Sequence, residues 1–483
     1  MAVTPFRVAA AVAGVLALAS VALPFAPVYD PWAWLVWGRE VVELDLDTTG
    51  GPSWKPLPVV FTAGFALAGD AAPALWLIVA RAGWLLAPIL AWRIASRLAP
   101  ADEPWSRPGA GAIAAAGVVL LSDPVTSWMR QFAGGLSEPL LVALVLAAID
   151  RQLARHPGQA LALGAGAALL RPEGWPFLAV YAAWLWGREP ARRSGIVAVA
   201  VAVPTLWLLP DAVGSGDPLT GAGRARGAPS DPVEALGHSL GLVLAALWAG
   251  AGWAVVSALQ RRQPSVPILA VGAVAWIALV VVMSAVGYAG LPRFAAPAAA
   301  VVCVLGAVGF VDLARRARLA AREPGGFLGA RAATGVVVVA AAAVAVTGAA
   351  QGAVRAADIP GALRQAGDFG SDVSELFDLI ADTGRDESNG CGEVATTDLP
   401  TQTALAWRLE RPLGRVVLRT SSAPRRGIGF VLAPVPSAAA RAIEGRGVRF
   451  GEEGPWSVYA ISCAARASSA SDRAIAGVVG ARR

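Results

Sequence analysis

Long apolar runs with almost no charge recur along the whole chain, and that pattern constrains the fold more than any other feature. A bilayer span needs roughly 20 apolar residues, with about 17 to 25 tolerated. Candidate runs lie near 7–28, 72–96, 110–122, 136–149, 158–170, 174–187, 195–210, 238–259, 266–288, 295–313 and 332–350, several of them short. That makes about eleven spans, with 158–170 and 174–187 open to being one broken helix. Charged residues make up 15% of the chain and hydrophobic residues 56%. A soluble domain usually carries about 25% charge. The chain therefore reads as an α-helical polytopic membrane protein.

The arginines orient it. With the N-terminus in the cytoplasm, the inner loops hold Arg93, Arg97 and Arg107, then Arg151 and Arg155, then Arg188, Arg192 and Arg193, then Arg261 and Arg262, and finally Arg315, Arg316, Arg318, Arg322 and Arg331. The outer loops hold only Arg39, Lys55, Arg130, Arg171, Arg224, Arg226 and Arg293. This is the cytoplasmic excess of basic residues typical of plasma-membrane proteins. It also accounts for the net charge of +6 without any nucleic-acid partner. An A-x-A at Ala17–Ala19 would suit a cleaved signal peptide, but the apolar run continues past it, which favours an uncleaved first span.

Residues 1–350 thus form a transmembrane domain, and 351–483 a small extracytoplasmic α/β domain. The polar tail has strand-like runs in "GRVVLRT", "GIGFVLAPV" and "WSVYAIS", with helical patches in "VSELFDLIAD" and "PSAAARAIE" between them. Cys391 and Cys463 fall in this tail and are expected to form a disulfide, with two buried thiols as the alternative. Cys303 lies within a span, where packing is its expected role.

Polar motifs collect at the outer ends of the spans. The first outer loop, 29–71, carries Asp30, Glu40, Glu43, Asp45 and Asp47, together with Lys55, the only lysine in the chain. Further on come "SDPVTSWMRQF" with Arg130, "GGLSEPL" with Glu138, "RPEGW" with Arg171 and Glu173, "GDPL", and "GLPRF" with Arg293. Ionisable groups at membrane depth are costly and mark function or pairing. A one-sided collection points to a reaction centre at one boundary, not to a conduction path. Asp30, held between a span and Pro31, is a candidate base, or a helix-end aspartate facing water. "PWAWLVWGREVV" reads as an interfacial helix, and "PLPVVFTAGFALAG" as a second one. Asp45-x-Asp47 is expected to be solvated loop, and His156 and His238, the only histidines, lie where no mechanism would use them. No zinc spacing or phosphate loop is visible, so no cofactor is expected to be required, and a divalent metal, though open, is not indicated.

An acidic residue just after the first span, a long outer loop with interfacial helices, "LLRPEGW" and "GLPRFAAPA" together resemble the GT-C superfamily of glycosyltransferases over about residues 1–350. The resemblance is to the protein mannosyltransferases and the lipid A aminoarabinose transferase, with their actinobacterial relatives. The usual acidic pair of the loop is here only Tyr29-Asp30. The resemblance implies that a sugar leaves a polyprenyl-phosphate carrier and joins an envelope glycan, lipid or protein acceptor outside the cytoplasm. Asp30 would then be the general base, and Lys55, Arg171 and Arg293 would hold the lipid phosphate. Glu138, Glu173 and Arg130 would be further substrate contacts. A headgroup-binding role for Lys55, and simple mutual pairing for Arg171 and Glu173, are the structural alternatives. Two other functions compete: a transporter or lipid flippase, against which no internal repeat is visible, and a non-catalytic envelope scaffold.

Overall fold

The computed structural model describes residues 5–122, 127–226, 231–322, 328–386, 391–433 and 437–463. Residues 123–126 of the 122–132 motif and 323–327 of the arginine-rich loop lie outside the described residues, as do 434–436 at the edges of two expected C-terminal elements. The chain divides into two compact units, 1–23 with 53–61 and 74–366, and 24–52 with 62–73 and 367–483.

The first unit is helical. It holds α1 (Pro5–Ala19), and then, after α2 (Tyr29–Glu43) of the other unit, the start of α3 (Pro56–Ala66) and most of α4 (Ala72–Leu98). There follow α5 (Ser106–Val119), α6 (Trp128–Ala133), α7 (Glu138–Leu153), α8 (Pro157–Ala168), α9 (Trp175–Arg188), α10 (Arg193–Ser215) and α11 (Thr220–Ala225). After them come α12 (Pro232–Gly241), α13 (Ala245–Gln260), α14 (Ser265–Ala285), α15 (Ala296–Arg322) and the first part of α16 (Leu328–Thr383).

Among the described residues, four helical stretches are long and apolar enough to cross a bilayer: Gly69–Leu98, Pro190–Ser215, Ser265–Ala285 and Pro292–Leu319. Pro232–Gly241 and Ala245–Gln260, bent by 85°, make a fifth if counted as one broken span. The run at 332–350 falls within the 56-residue α16, and the remaining apolar runs are helices of 12 to 16 residues. The 158–187 region is two helices, α8 of 12 residues and α9 of 14, parted by the Pro172–Gly174 turn.

α15 is the central helix of this unit. In its most apolar stretch 89% of residues are buried, against 28% in Ser265–Ala285 and 17% in Pro190–Ser215, so the last two present most of their surface outward. α13 packs on α15 through glycines. A Cβ at Gly309 would lie 1.8 Å from the Gly250 carbonyl oxygen, and one at Gly306 2.4 Å from that of Leu247. Only hydrogen fits there, and such small-residue seams are how membrane helices approach closely. Arg81, fully buried on α4, is held by main-chain oxygens. It donates to Ser20 at 2.8 Å, Ala133 at 3.2 Å and Phe132 at 3.3 Å. Its charge thereby satisfies carbonyls left open at two helix ends.

The second unit carries a five-stranded sheet of β1 (Glu393–Thr396), β2 (Val416–Leu418), β3 (Gly427–Leu432), β4 (Val448–Glu453) and β5 (Trp456–Ile461), with α17 (Leu399–Arg408) and α18 (Ala438–Arg446). The order is β2-β1-β3-β5-β4, with β2, β1 and β3 parallel and β5 antiparallel to both β3 and β4. β3 is nearly all buried, as a central strand should be. Cys391 and Cys463 are joined as a disulfide, with Cα atoms 6.0 Å apart.

The amphipathic reading of residues 31–42 needs correcting here. Trp32, Ala33, Trp34, Leu35, Val36 and Trp37 are all buried, so α2 has no wet face over this stretch. The reason is that α2 is clasped inside its unit. Thr403 Oγ1 donates to the Tyr29 oxygen at 2.8 Å, and Thr62 Oγ1 to the Trp34 oxygen at 2.6 Å. The Trp32 ring lies 5.6 Å from that of Phe377, and the Arg39 guanidinium 5.3 Å from the Trp407 ring.

Candidate active site

The first unit gathers three cations around one carboxylate. Glu138 opens α7 and is fully buried, and neither of its oxygens accepts a hydrogen bond from a neighbour. Its Oε1 lies 3.7 Å from Lys55 Nζ, 3.6 Å from Arg171 Nη1 and 3.6 Å from Arg293 Nε. These separations are too long for hydrogen bonds but well within Coulombic range. Lys55 Nζ also reaches Ser137 Oγ at 3.2 Å. Arg171 forks onto Glu173, with Nη2 to Oε1 at 2.5 Å and Nε to Oε2 at 3.2 Å. Lys55, Arg171 and Glu173 are all buried, and Arg293 is 23% exposed. Three cations against two carboxylates leave these five residues with one positive charge in excess.

Local sequence explains how each residue is held. Arg171 precedes Pro172, which disfavours the helical region, and its backbone is extended at φ −147° and ψ 131°. The end of α8 is pinned by two indoles, Trp175 and Trp207, whose Nε1 atoms donate to the Ala168 oxygen at 3.2 and 2.9 Å. Lys55 sits in an anchored segment. Trp54 Nε1 donates to the Leu206 oxygen at 3.1 Å and Ser53 Oγ to the Gly221 oxygen at 2.8 Å. Arg293 lies in the short 3-10 turn Pro292–Ala295 that leads into α15.

Phe294 supplies a platform. The Arg171 guanidinium carbon lies 3.4 Å from its ring centroid and that of Arg293 5.7 Å. Trp276 Nε1 donates to the Phe294 oxygen at 2.8 Å, and Phe177 stacks on Trp276 at 5.0 Å. The ring that carries the arginine is thus held through its main chain by Trp276 of α14, itself stacked on Phe177 of α9. Sequence reasoning missed these aromatic residues and Ser137. Phe294 could have been suspected as the neighbour of Arg293, whereas nothing local marks Trp276 or Phe177.

Of the residues singled out in the sequence, Lys55, Glu138, Arg171, Glu173 and Arg293 come together. Arg130 does not join them. It is exposed on α6 and lines a different cavity. Asp30 belongs to the second unit, in the first turn of α2, and is half-buried. Asp47 is used locally: its Oδ1 accepts from Thr49 N at 2.7 Å and Thr49 Oγ1 at 2.5 Å. Among the described residues, no three His, Cys, Asp or Glu side chains are grouped so as to hold a metal ion.

No protein-family model and no curated protein sequence matches this chain. Solved structures do. The crystal structure of ArnT from Cupriavidus metallidurans in the apo state aligns with a TM-score of 0.57 at 15% identity, covering 94% of this chain and 97% of that one. The same protein bound to undecaprenyl phosphate aligns with a TM-score of 0.57 at 14% identity, covering 95% and 98%. The chain shares the fold of these structures. With its apolar helices, that fold makes it a multi-pass membrane protein.

Proposed function

We propose that this protein is a glycosyltransferase that moves a sugar from a polyprenyl-phosphate carrier to an acceptor of the cell envelope. The observation that carries the reading is the trio of buried Lys55 and Arg171 with half-buried Arg293, around Glu138 and with a net positive charge, in a chain that shares its fold with a protein solved bound to undecaprenyl phosphate.

The chemistry asks for this charge. When the bond from the sugar's anomeric carbon to the phosphate oxygen breaks, the phosphate gains a negative charge and leaves with the lipid. Preorganised cations in a dry site stabilise that charge as it develops. Arg171 and Arg293 offer directed donors and Lys55 a compact point charge. The acceptor hydroxyl forms the new bond to the anomeric carbon and must lose its proton, and a carboxylate can take it. Asp30, in the first turn of α2, is assigned that role. The arginine distribution supports a cytoplasmic N-terminus, with the sheet-bearing C-terminal region and the reaction on the other side of the plasma membrane. No cofactor enters the scheme.

The test supplies purified protein with labelled polyprenyl-phosphate sugars and extracted envelope acceptors. Transfer of label is expected. Asp30→Asn should abolish it while leaving expression intact, and Lys55→Ala should raise the apparent KM for the donor at least tenfold. Full activity in Asp30→Asn would remove that residue from the scheme, and an unchanged donor KM in Lys55→Ala would reassign Lys55 to lipid headgroups. Absence of transfer from every donor would sink the enzyme reading.

A further inference from the structure

α10 presents most of its surface outward, yet it carries a carboxyl group, Asp211, that is only 3% exposed. An ionisable side chain in an apolar membrane helix is costly and marks function or pairing. No step of the proposed transfer uses this one. Asp211 lies one turn beyond Trp207 on the same helix face. That face looks inward, since Trp207 Nε1 donates to the Ala168 oxygen at the end of α8.

The "GDPL" motif brings Asp211 its partner. Gly216, at φ +79°, ends α10 in the left-handed region. Thr220 N then donates to the Asp217 oxygen at 3.2 Å, and the chain doubles back into α11. Gly221 is thereby set against Asp211, whose Oδ2 accepts from Gly221 N at 2.8 Å. The Gly221 oxygen accepts in turn from Ser53 Oγ, and the Leu206 oxygen of α10 from Trp54 Nε1. Beyond Lys55, Leu57 N donates to the Leu169 oxygen at 3.2 Å. Lys55 therefore sits on a strap tied to α10 and α11 on one side and to the end of α8 on the other. The first knot is tight. A Cβ at Gly221 would lie 2.8 Å from Asp211 Oδ2 and 3.2 Å from Trp54 N.

We propose that Asp211 is a positioning residue for Lys55. It fixes Gly221, and through Gly221 and Ser53 it fixes the strap that holds Lys55 Nζ beside Glu138 and Ser137. The inference rests on the glycosyltransferase reading only in giving Lys55 the donor phosphate.

Lys55 is the only lysine in the chain, so its acetylation by an N-hydroxysuccinimide ester, located by peptide mapping, reports on one side chain. The full chain in detergent micelles is used. Asp211→Ala should speed Lys55 labelling about tenfold, because an untied strap opens more often. Gly221→Ala should do the same without altering Asp211, since its methyl group displaces the carboxyl from the amide. Asp211→Asn keeps an oxygen that can accept from Gly221 N and should recover most of the difference. Gly309→Ala, which opens the α13–α15 seam, controls for general loosening and should leave the labelling rate alone. Unchanged labelling in Asp211→Ala and Gly221→Ala, or equal acceleration in Gly309→Ala, would overturn the proposal. So would an Asn variant as fast as the Ala variant. In the transfer assay, Asp211→Ala should raise the donor KM several-fold with a smaller change in kcat, and Asp211→Asn should restore it. Labelling that follows Asp211 in a protein without transfer activity would keep the positioning role and discard the enzyme reading.

Discussion

The guanidinium of Arg171 rests on the face of Phe294, 3.4 Å from carbon to ring centroid, while its nitrogens fork onto Glu173. The ring is a fixed support because Trp276 holds the Phe294 main chain from α14. An arginine clamped on one face and one edge keeps its remaining donors aimed without loss of side-chain freedom when a phosphate arrives. Replacing Trp276 by Phe removes one hydrogen bond and little volume. Trp276→Phe is expected to raise the donor KM several-fold with a smaller change in kcat, because a mobile Arg171 has more freedom to lose on binding. Steady-state kinetics with the labelled donor decide it, and an unchanged KM would deny the stack any positioning role.

Glu138 is the counter-charge that lets three cations, two of them buried, lie close together in the resting protein. Glu138→Gln keeps the shape and removes the charge. Breaking a buried pair by deleting one partner typically costs about 3–5 kcal/mol, and a clear drop in thermal midpoint is expected. A second change, Lys55→Met, should recover part of that loss, because it removes one of the charges left uncompensated. A double-mutant cycle on the melting temperatures reads the coupling between them. Additive effects would mean that the two charges do not interact.

Burial pushes the Glu40 carboxyl up to about 8, with Asp45 and Asp47 adding to the shift and Arg39 and the hydrogen bond from Asp47 N opposing it. The folded state then holds a proton that the unfolded chain releases near the ordinary value of 4.5. Its contribution to stability is full below that lower value and is lost as pH rises through the folded value. The melting temperature of the protein is therefore expected to fall between about pH 5 and pH 8 from this group. Glu40→Gln, neutral throughout, should flatten that slope and stabilise the protein at the alkaline end. An identical pH profile in the variant would show that Glu40 is ionised in the fold.

The seam between α13 and α15 leaves no room for a methyl group at Gly309. Gly309→Ala must push the helices apart, at a cost of about 1–3 kcal/mol for overpacking, or more where backbone is the obstacle. A lower unfolding midpoint in detergent, with unchanged helix content by circular dichroism, is expected. Gly272→Ala on α14, where nothing lies within 4 Å of the added Cβ, serves as the control.

The sequence by itself determined the class of this protein. Apolar runs with little charge dictate membrane helices, and three C-terminal strands, β2, β3 and β5, were legible from runs of apolar and β-branched residues. Lys55, Glu138, Arg171 and Arg293 stood out locally because charge is rare and costly in such a chain. Their meeting point was not legible, since it brings to Glu138 residues spread over 238 positions of the chain, from Lys55 to Arg293. Periodicity reports which face of one element is apolar and says nothing of which distant element covers it. For the same reason only the tertiary structure decided that α2, with its tryptophans, is enclosed by α17 and the end of α16. It also decided that Trp276, stacked on Phe177, holds the main chain of Phe294, whose ring lies against Arg171.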